Sequence, residues 1–261
     1  MTMTYRGTTA LITGASSGLG EEFARQFAAR GADVVLVARR DDRLRALARR
    51  LEEDHRIVAM PLAVDLAAPD SPATIRAALG ERGIRLHTLV NNAGFGMKGA
   101  FVDADPARIA EMVQVNVASV VALTREFLPD LVREGDGALV SIASTGAYQP
   151  CPNMAVYGAT KAFVLSFTEA LSYETRGSGL SVLAVSPGAT RTEFFDVVGT
   201  KDAAVGRYQT PEQVVTRALR ELDRPHTPPS FVGGRLNAIS ATLAGWMPRR
   251  ATLAVSGRVL R

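Results

Sequence analysis

The chain has 261 residues, 47% of them hydrophobic and 21% charged, the proportions of a folded protein with a substantial core rather than of a disordered one. Lys and Arg total 30 against 26 Asp and Glu, and the resulting +4 is spread along the chain, so no long basic block marks a nucleic-acid surface. A single cysteine, Cys151, excludes an internal disulfide, and three scattered histidines, His55, His87 and His226, offer no metal-ligand spacing. A reducing cytoplasm fits this cysteine usage. The length suits one α/β domain over residues 1–261. No run of 18 apolar residues occurs, so no transmembrane helix is expected, and the N-terminal apolar run is too short and too glycine-interrupted for an export signal.

In chain order, "TALIT" (9–13) reads as a first strand, followed by a glycine-rich turn and by "GEEFARQFAARG", with Phe23, Phe27 and Ala28 on one stripe and Gly31 as a stop. "DVVLVA" (33–38) is a second strand and "DDRLRALARRLEEDH" (41–55) a charged helix. Further strands are read at "IVAMPLAV" (57–64), "HTLVN" (87–91), "ALVSIAS" (138–144), "LSVLAVS" (180–186) and "SFV" (230–232). Most are continuous apolar runs, as in strands buried on both faces of a parallel sheet. Their alternation with helical patterns, among them "PARIAEMVQVNVASVVALTREFL" (106–128), argues for right-handed crossovers and a doubly wound sheet. Residues 187–209 show no period and contain Gly188, Gly199 and Gly206; a loop this long in a compact domain is usually functional or disordered. Helix resumes at "TPEQVVTRALREL", with Thr210 as N-cap, Pro211 as first helical residue and Gln213 as capping-box partner. The apolar, arginine-bearing tail, 235–261, reads as packing on the core, on another subunit or on a membrane surface.

Gly14, Gly18 and Gly20 in "TGASSGLGEEFA" sit between the first strand and the first helix. Such glycines let the backbone approach a pyrophosphate, and the helix N-terminus attracts its charge; the alternative is an ordinary strand-to-helix turn. A carboxylate gripping an unmodified ribose is expected at the end of the second strand. Ala38 stands there instead, followed by Arg39 and Arg40, whose guanidinium groups can pair with a 2′-phosphate. NADP(H) is therefore favoured over NAD(H), with Arg39 the first candidate and Arg40 the second, although both arginines can also simply solvate a helix start. Asp65 can accept from an adenine amino group or cap its own turn. "NNAG" (91–94) closes the fourth strand at the carboxyl edge, where ligands of such sheets bind.

Tyr157 and Lys161 in "AVYGATKAF" are four residues apart on a helix and share a face. A phenol titrates near about 10; a neighbouring ammonium stabilises the phenolate, which suits a proton donor to the oxygen of a carbonyl under reduction. Ser144 can add a hydrogen bond to that oxygen. Asn116, among Val115, Val117 and Val120, is a polar residue that must find a partner. Each has a plain structural reading when taken alone.

Together, "TGASSGLG" (13–20), "NNAG" (91–94), Asn116, Ser144, "YGATK" (157–161) and "PGATRTEF" (187–194) resemble a short-chain dehydrogenase/reductase of the single-domain type, over nearly the whole chain. The resemblance implies a Rossmann-like, doubly wound, mainly parallel seven-stranded sheet with helices on both faces, a nicotinamide cofactor, and a catalytic tetrad of Asn116, Ser144, Tyr157 and Lys161. By that likeness Tyr157 is the general acid in reduction, Lys161 lowers its pKa and bonds the nicotinamide ribose, Ser144 positions the carbonyl oxygen, and the Asn116 backbone carbonyl holds a water. Expected around the dinucleotide are Gly14, Ser16, Ser17, Gly18, Leu19, Gly20, Arg39, Arg40, Asp65, Leu66, Asn92, Ala93, Gly94, Pro187, Gly188, Thr190 and Thr192, besides Tyr157 and Lys161. A homodimer or homotetramer is also expected.

Residues 187–210 correspond to the family's substrate lid. Phe194, Phe195, Val197, Val198 and Tyr208, with Met154 and Tyr148, suggest an apolar pocket for a hydrophobic ketone or alcohol; the alternative is that they pack the lid and the substrate is small. Cys151 has no neighbour in sequence that activates a thiolate. Two other functions stay open at this level: a non-catalytic NADP-binding sensor or scaffold, and a lipid reductase attached to a membrane surface by the tail.

Overall fold

A computed structural model describes residues 3–194, 198, 208–234, 237–239, 241, 243 and 247–259. Its centre is a seven-stranded sheet of β1 (Thr9–Thr13), β2 (Asp33–Ala38), β3 (Ala59–Ala63), β4 (Thr88–Asn91), β5 (Ala138–Ile142), β6 (Ser181–Ser186) and β7 (Ser230–Val232), in the order β3-β2-β1-β4-β5-β6-β7. Every neighbouring pair is parallel, so the fold is Rossmann-like, with helices on both faces. The continuous apolar runs are explained by this arrangement. In β1, Ala10 and Ile12 face one core layer while Leu11 faces the other; in β2, Val34 and Leu36 oppose Val35 and Val37. Alternate side chains leave opposite faces, and both faces are covered.

The first layer holds Phe23 and Phe27 of α1 (Gly18–Ala29), Leu44, Leu47 and Leu51 of α2 (Asp41–His55), and Val214, Leu219 and Leu222 of α7 (Pro211–Leu222). The second holds Ile75 and Leu79 of α3 (Ser71–Gly80) and Leu123, Phe127 and Leu131 of α5 (Ser119–Glu134), joined by Leu171 of α6 (Ala155–Glu174). Each fully buried side chain of this size stabilises the fold by roughly 1.5–3 kcal/mol. The α7 start carries the expected capping box: Thr210 accepts from Gln213 N–H, and the Gln213 side chain accepts from Thr210 N–H.

Several boundaries move. β3 begins at Ala59, leaving Val58 exposed, and β5 ends at Ile142, so Ser144 lies beyond the strand. The long helical pattern is α4 (Pro106–Val113), a π-helical turn (Gln114–Ala118) and α5. Residues 106–134 are long and apolar enough to cross a membrane by length and composition, but the α5 apolar face is taken by the sheet. Within the expected lid, Thr190 forms an isolated parallel bridge with Gln209. Phe195, Val197, Gly199 and Gly206 lie outside the described residues, as does part of the tail, in which α8 spans Arg249–Val259.

The strand order reverses between β1 and β4, the two strands that follow opposite windings of the chain. Loops leaving their carboxyl ends diverge there and open a crevice. The glycine turn leaves β1 and "NNAG" leaves β4, which brings both motifs to one place.

Candidate active site

The turn after β1 is shaped by close backbone approach. Gly18 has φ +59, and a Cβ on Gly20 would lie 2.2 Å from the Gly14 carbonyl oxygen, so neither position admits a side chain without rearrangement. Thr13, at the end of β1, ties this turn to the loop after β4: its hydroxyl donates to Val90 O (3.2 Å) and accepts from Asn92 N (2.9 Å) and Ala93 N (3.0 Å). Asn92 Nδ2 returns a bond to Thr13 O at 2.8 Å. Thr13 stands directly before the glycines in the chain, but nothing in its neighbours signals this bridging role.

From this turn a cleft of about 490 Å³ runs along the carboxyl edge of the sheet. Every residue expected at the dinucleotide lines it except Gly20, which packs beneath the turn. Helix α1 points its N-terminus at the cleft, and Ser16, Ser17 and the backbone around Gly18 line it. The glycine cradle, the helix N-terminus and the adjacent arginines are a donor set that fits a dinucleotide phosphate.

The two arginines after β2 diverge. Arg40 lies across the turn: its Nε and Nη2 donate to Ser16 Oγ (3.1 and 2.9 Å), and Nη2 also donates to Ser17 Oγ (3.0 Å). Arg39 is largely exposed and reaches Glu111 at 3.3 Å. Ala38 is buried at the end of β2, with no carboxylate beside it in the strand. Asp65 lines the cleft and also caps its own turn, accepting from Ala67 N at 3.0 Å.

At the other end of the cleft stand Ser144, Tyr157 and Lys161. Ser144 follows β5 and caps a 3-10 turn (Thr145–Tyr148), accepting from Gly146 N at 3.1 Å; its hydroxyl stands close enough to the Tyr157 phenol to favour the phenolate. Tyr157 occupies the first turn of α6. One turn later Lys161 is buried, donates to Ile142 O at 2.7 Å, and holds its Nζ 5.9 Å from the Tyr157 ring centre.

Burial dominates both titrations. The phenol is pushed up to about 12, against the lowering influence of Ser144, and the Lys161 ammonium is pushed down to about 8. Desolvation of the phenolate is the largest influence on the phenol and raises it. Tyr157 is held in its proton-bearing form at neutral pH.

Asn116 does not line the cleft. It sits in the π-helical turn, where its Nδ2 donates to Phe95 O (2.9 Å) and Thr160 Oγ1 (3.2 Å), and its Oδ1 accepts from Phe95 N (3.1 Å). Thr160 Oγ1 in turn donates to Tyr157 O at 2.8 Å. The amide side chain therefore ties the exit of β4 to the first turn of α6.

Around Tyr157, Cys151, Met154 and Val198 form a small buried cluster with Phe194, whose ring lies 5.4 Å from that of Tyr157. Tyr148 is directed elsewhere, to Ser186 Oγ at 3.4 Å, and with Tyr208 it is absent from the cleft lining. The Cys151 thiol is pushed up to about 11 by burial, which keeps it protonated. Residues missed from sequence include Phe95, Arg108, Glu111, Glu193 and Asn237, all on the cleft wall. Charged and amide side chains far apart in sequence carry no shared motif that would announce such a meeting.

A doubly wound sheet with a glycine-rich strand-to-helix turn at its switch point and a Ser–Tyr–Lys group beside it defines a nucleotide-binding oxidoreductase. More particularly, the chain belongs to the short chain dehydrogenase family, whose model matches residues 8–203. It is 30% identical over 252 residues to the very-long-chain 3-oxoacyl-CoA reductase of Bos taurus, covering 93% of this chain and 78% of that one. Sulfoacetaldehyde reductase 2 of Chromohalobacter salexigens is 38% identical over 186 residues, 70% of this chain and 73% of the relative. Among solved structures, a short-chain dehydrogenase from Sphingobium yanoikuyae in complex with NADPH superposes with a TM-score of 0.81 at 36% identity, covering 92% of this chain and 94% of that one. The chain is accordingly an oxidoreductase of the kind that acts on ketone and alcohol groups with a nicotinamide dinucleotide.

Proposed function

We propose that this chain is an NADP(H)-dependent enzyme interconverting a hydrophobic ketone and its secondary alcohol, with Asn116, Ser144, Tyr157 and Lys161 as its working residues. The observation that carries the reading is the half-buried Tyr157 phenol, standing with Ser144 and Lys161 on the wall of the cleft that begins at the glycine turn. A proton-bearing phenol in that position can donate to a carbonyl oxygen as negative charge develops there. Ser144 can donate a second hydrogen bond to the same oxygen. Lys161 is charged below about pH 8 and stabilises the phenolate left after the proton has gone. Asn116 acts through Thr160 and the β4 exit, fixing where Tyr157 sits. When bound, the dinucleotide supplies or accepts the hydride.

The NADP preference is supported by Arg40 held across the turn by Ser16 and Ser17, by Ala38 where an acid would grip a free ribose hydroxyl, and by the NADPH in the Sphingobium relative. Arg40 replaces Arg39 as the first candidate for the 2′-phosphate, because its donors already face the turn. The hydrophobic substrate is supported by Cys151, Met154, Phe194 and Val198 around the phenol. The remaining proposals are a single domain and a homo-oligomer acting on a small molecule.

Tyr157→Phe removes the transferable proton and little else. It is expected to bind NADPH with unchanged affinity while turnover falls at least about 100-fold. Undiminished turnover of ketones that the wild type reduces would refute the assignment, and a wild type inert toward steroid, fatty-acyl and small ketones alike would favour a non-catalytic binder.

A further inference from the structure

Arg39, Arg40, Arg43 and Arg108, near the glycine turn, are each already paired with a carboxylate. Arg40 Nη1 meets Glu193 Oε2 at 2.9 Å, and the other oxygen of Glu193 meets Arg43 Nη1 at 2.6 Å. Arg39 Nη1 meets Glu111 Oε1 at 3.3 Å, and Glu111 Oε2 meets Arg108 Nη1 at 2.6 Å. Four guanidinium groups thus share two carboxylates, leaving two positive charges, as many as a phosphate dianion neutralises.

The two carboxylates are not equivalent. Glu111 belongs to a regular helix, α4. Glu193 follows Pro187–Thr192 on the cleft wall and directly precedes Phe194, whose ring packs on Tyr157. Its contact with Arg40 joins residues 153 positions apart. A carboxylate seated on Arg40 occupies donors that a phosphate would use, and a phosphate, with more charge and more acceptor oxygens, is the stronger partner for them. Arg43 gives the displaced carboxylate somewhere to remain, so the exchange strands no charge.

We propose that Glu193 is a built-in rival of the 2′-phosphate for Arg40, a specificity-determining residue that NADP(H) displaces onto Arg43 and that NAD(H) leaves in place. The proposal rests on the assignment of the 2′-phosphate to Arg40. The Arg40–Glu193 pair is about half exposed, and contacts of this kind are modest.

Binding titrations of NADPH and NADH with the whole protein, read by cofactor fluorescence or calorimetry, test it. Glu193→Gln is expected to lower the NADPH Kd by about two- to fivefold and to leave the NADH Kd unchanged. Glu111→Gln removes the same charge from the same rim without touching Arg40, and is expected to have a clearly smaller effect. Equal tightening by both variants would mean general charge relief and overturn the proposal, as would no change, or a weaker NADPH Kd, in Glu193→Gln. Arg40→Ala separates the two levels of the argument. If it erases a wild-type preference for NADPH while Glu193→Gln changes nothing, only the rival role falls; if the wild type binds both dinucleotides alike and Arg40→Ala weakens both equally, the 2′-phosphate assignment falls with it.

Discussion

Lys161 is a residue that the fold tolerates at a cost. Its ammonium is almost wholly buried with one carbonyl partner, Ile142 O, and desolvation lowers its pKa from 10.5 to about 8. Between those values the unfolded chain holds a proton that the native protein has given up. Native stability therefore rises as pH climbs through that window, and at pH 7 the buried charge costs on the order of 3 kcal/mol. Lys161→Met is expected to lose turnover yet melt higher than wild type at pH 7. That advantage should shrink as pH rises from about 8 to about 10.5, as measured by paired thermal melts across pH; an advantage independent of pH would show that the charge is not the cause. Burial also favours the neutral form of Tyr157, which keeps its proton to about pH 12, so activity is expected to fall on the alkaline side near pH 8 as Lys161 loses its charge, measured as a pH–rate profile.

At the scale of elements, the π-helical turn at Gln114–Ala118 interrupts a helical pattern whose sequence shows no proline or glycine there. π-bulges occur frequently at functional sites, and this one carries Asn116, whose amide pairs with both backbone groups of Phe95 much as a neighbouring strand would. Asn116→Ala leaves the Phe95 N–H and C=O without that partner and is expected to destabilise the protein by about 1–3 kcal/mol. Loss of turnover should exceed loss of NADPH binding, since Asn116 is tied through Thr160 to the turn bearing Tyr157. Parallel denaturant unfolding and cofactor titration separate the two; equal losses would leave Asn116 a purely structural residue. The motif and the spacing of Asn116 were legible in sequence. Its partner was not, because Phe95 is brought opposite only when β4 and α6 pack around the turn.

For the molecule as a whole, the tail leaves apolar surface in water: Ile239, Leu243, Leu253 and Val255 are more than half exposed or close to it. Meanwhile Thr252 and Ser256 on α8 are buried, and Gly257 approaches Pro152 beside the cleft. One face of α8 therefore packs near the site while another is uncovered. A second subunit covering that face agrees with the proposed oligomer. Removing residues 235–261 is expected to shift sedimentation to a smaller species and to leave vesicle flotation unaffected; flotation lost with the tail would identify a membrane surface instead.

What the sequence alone determined follows local rules. Apolar β-branched runs, glycines at fixed offsets, the capping box at Thr210 and the four-residue spacing of Tyr157 and Lys161 depend on neighbours in the chain. They sufficed for the sheet and for bringing the glycine turn and the Tyr157–Lys161 pair into view as candidates. The tertiary structure decided what depends on distant partners: that Arg40 rather than Arg39 crosses the turn, that burial is the largest influence on the tyrosine, and that Glu193 reaches Arg40 and Arg43. Desolvation and long-range pairing are properties of the packed chain, since both are set by what surrounds a group once distant segments have met.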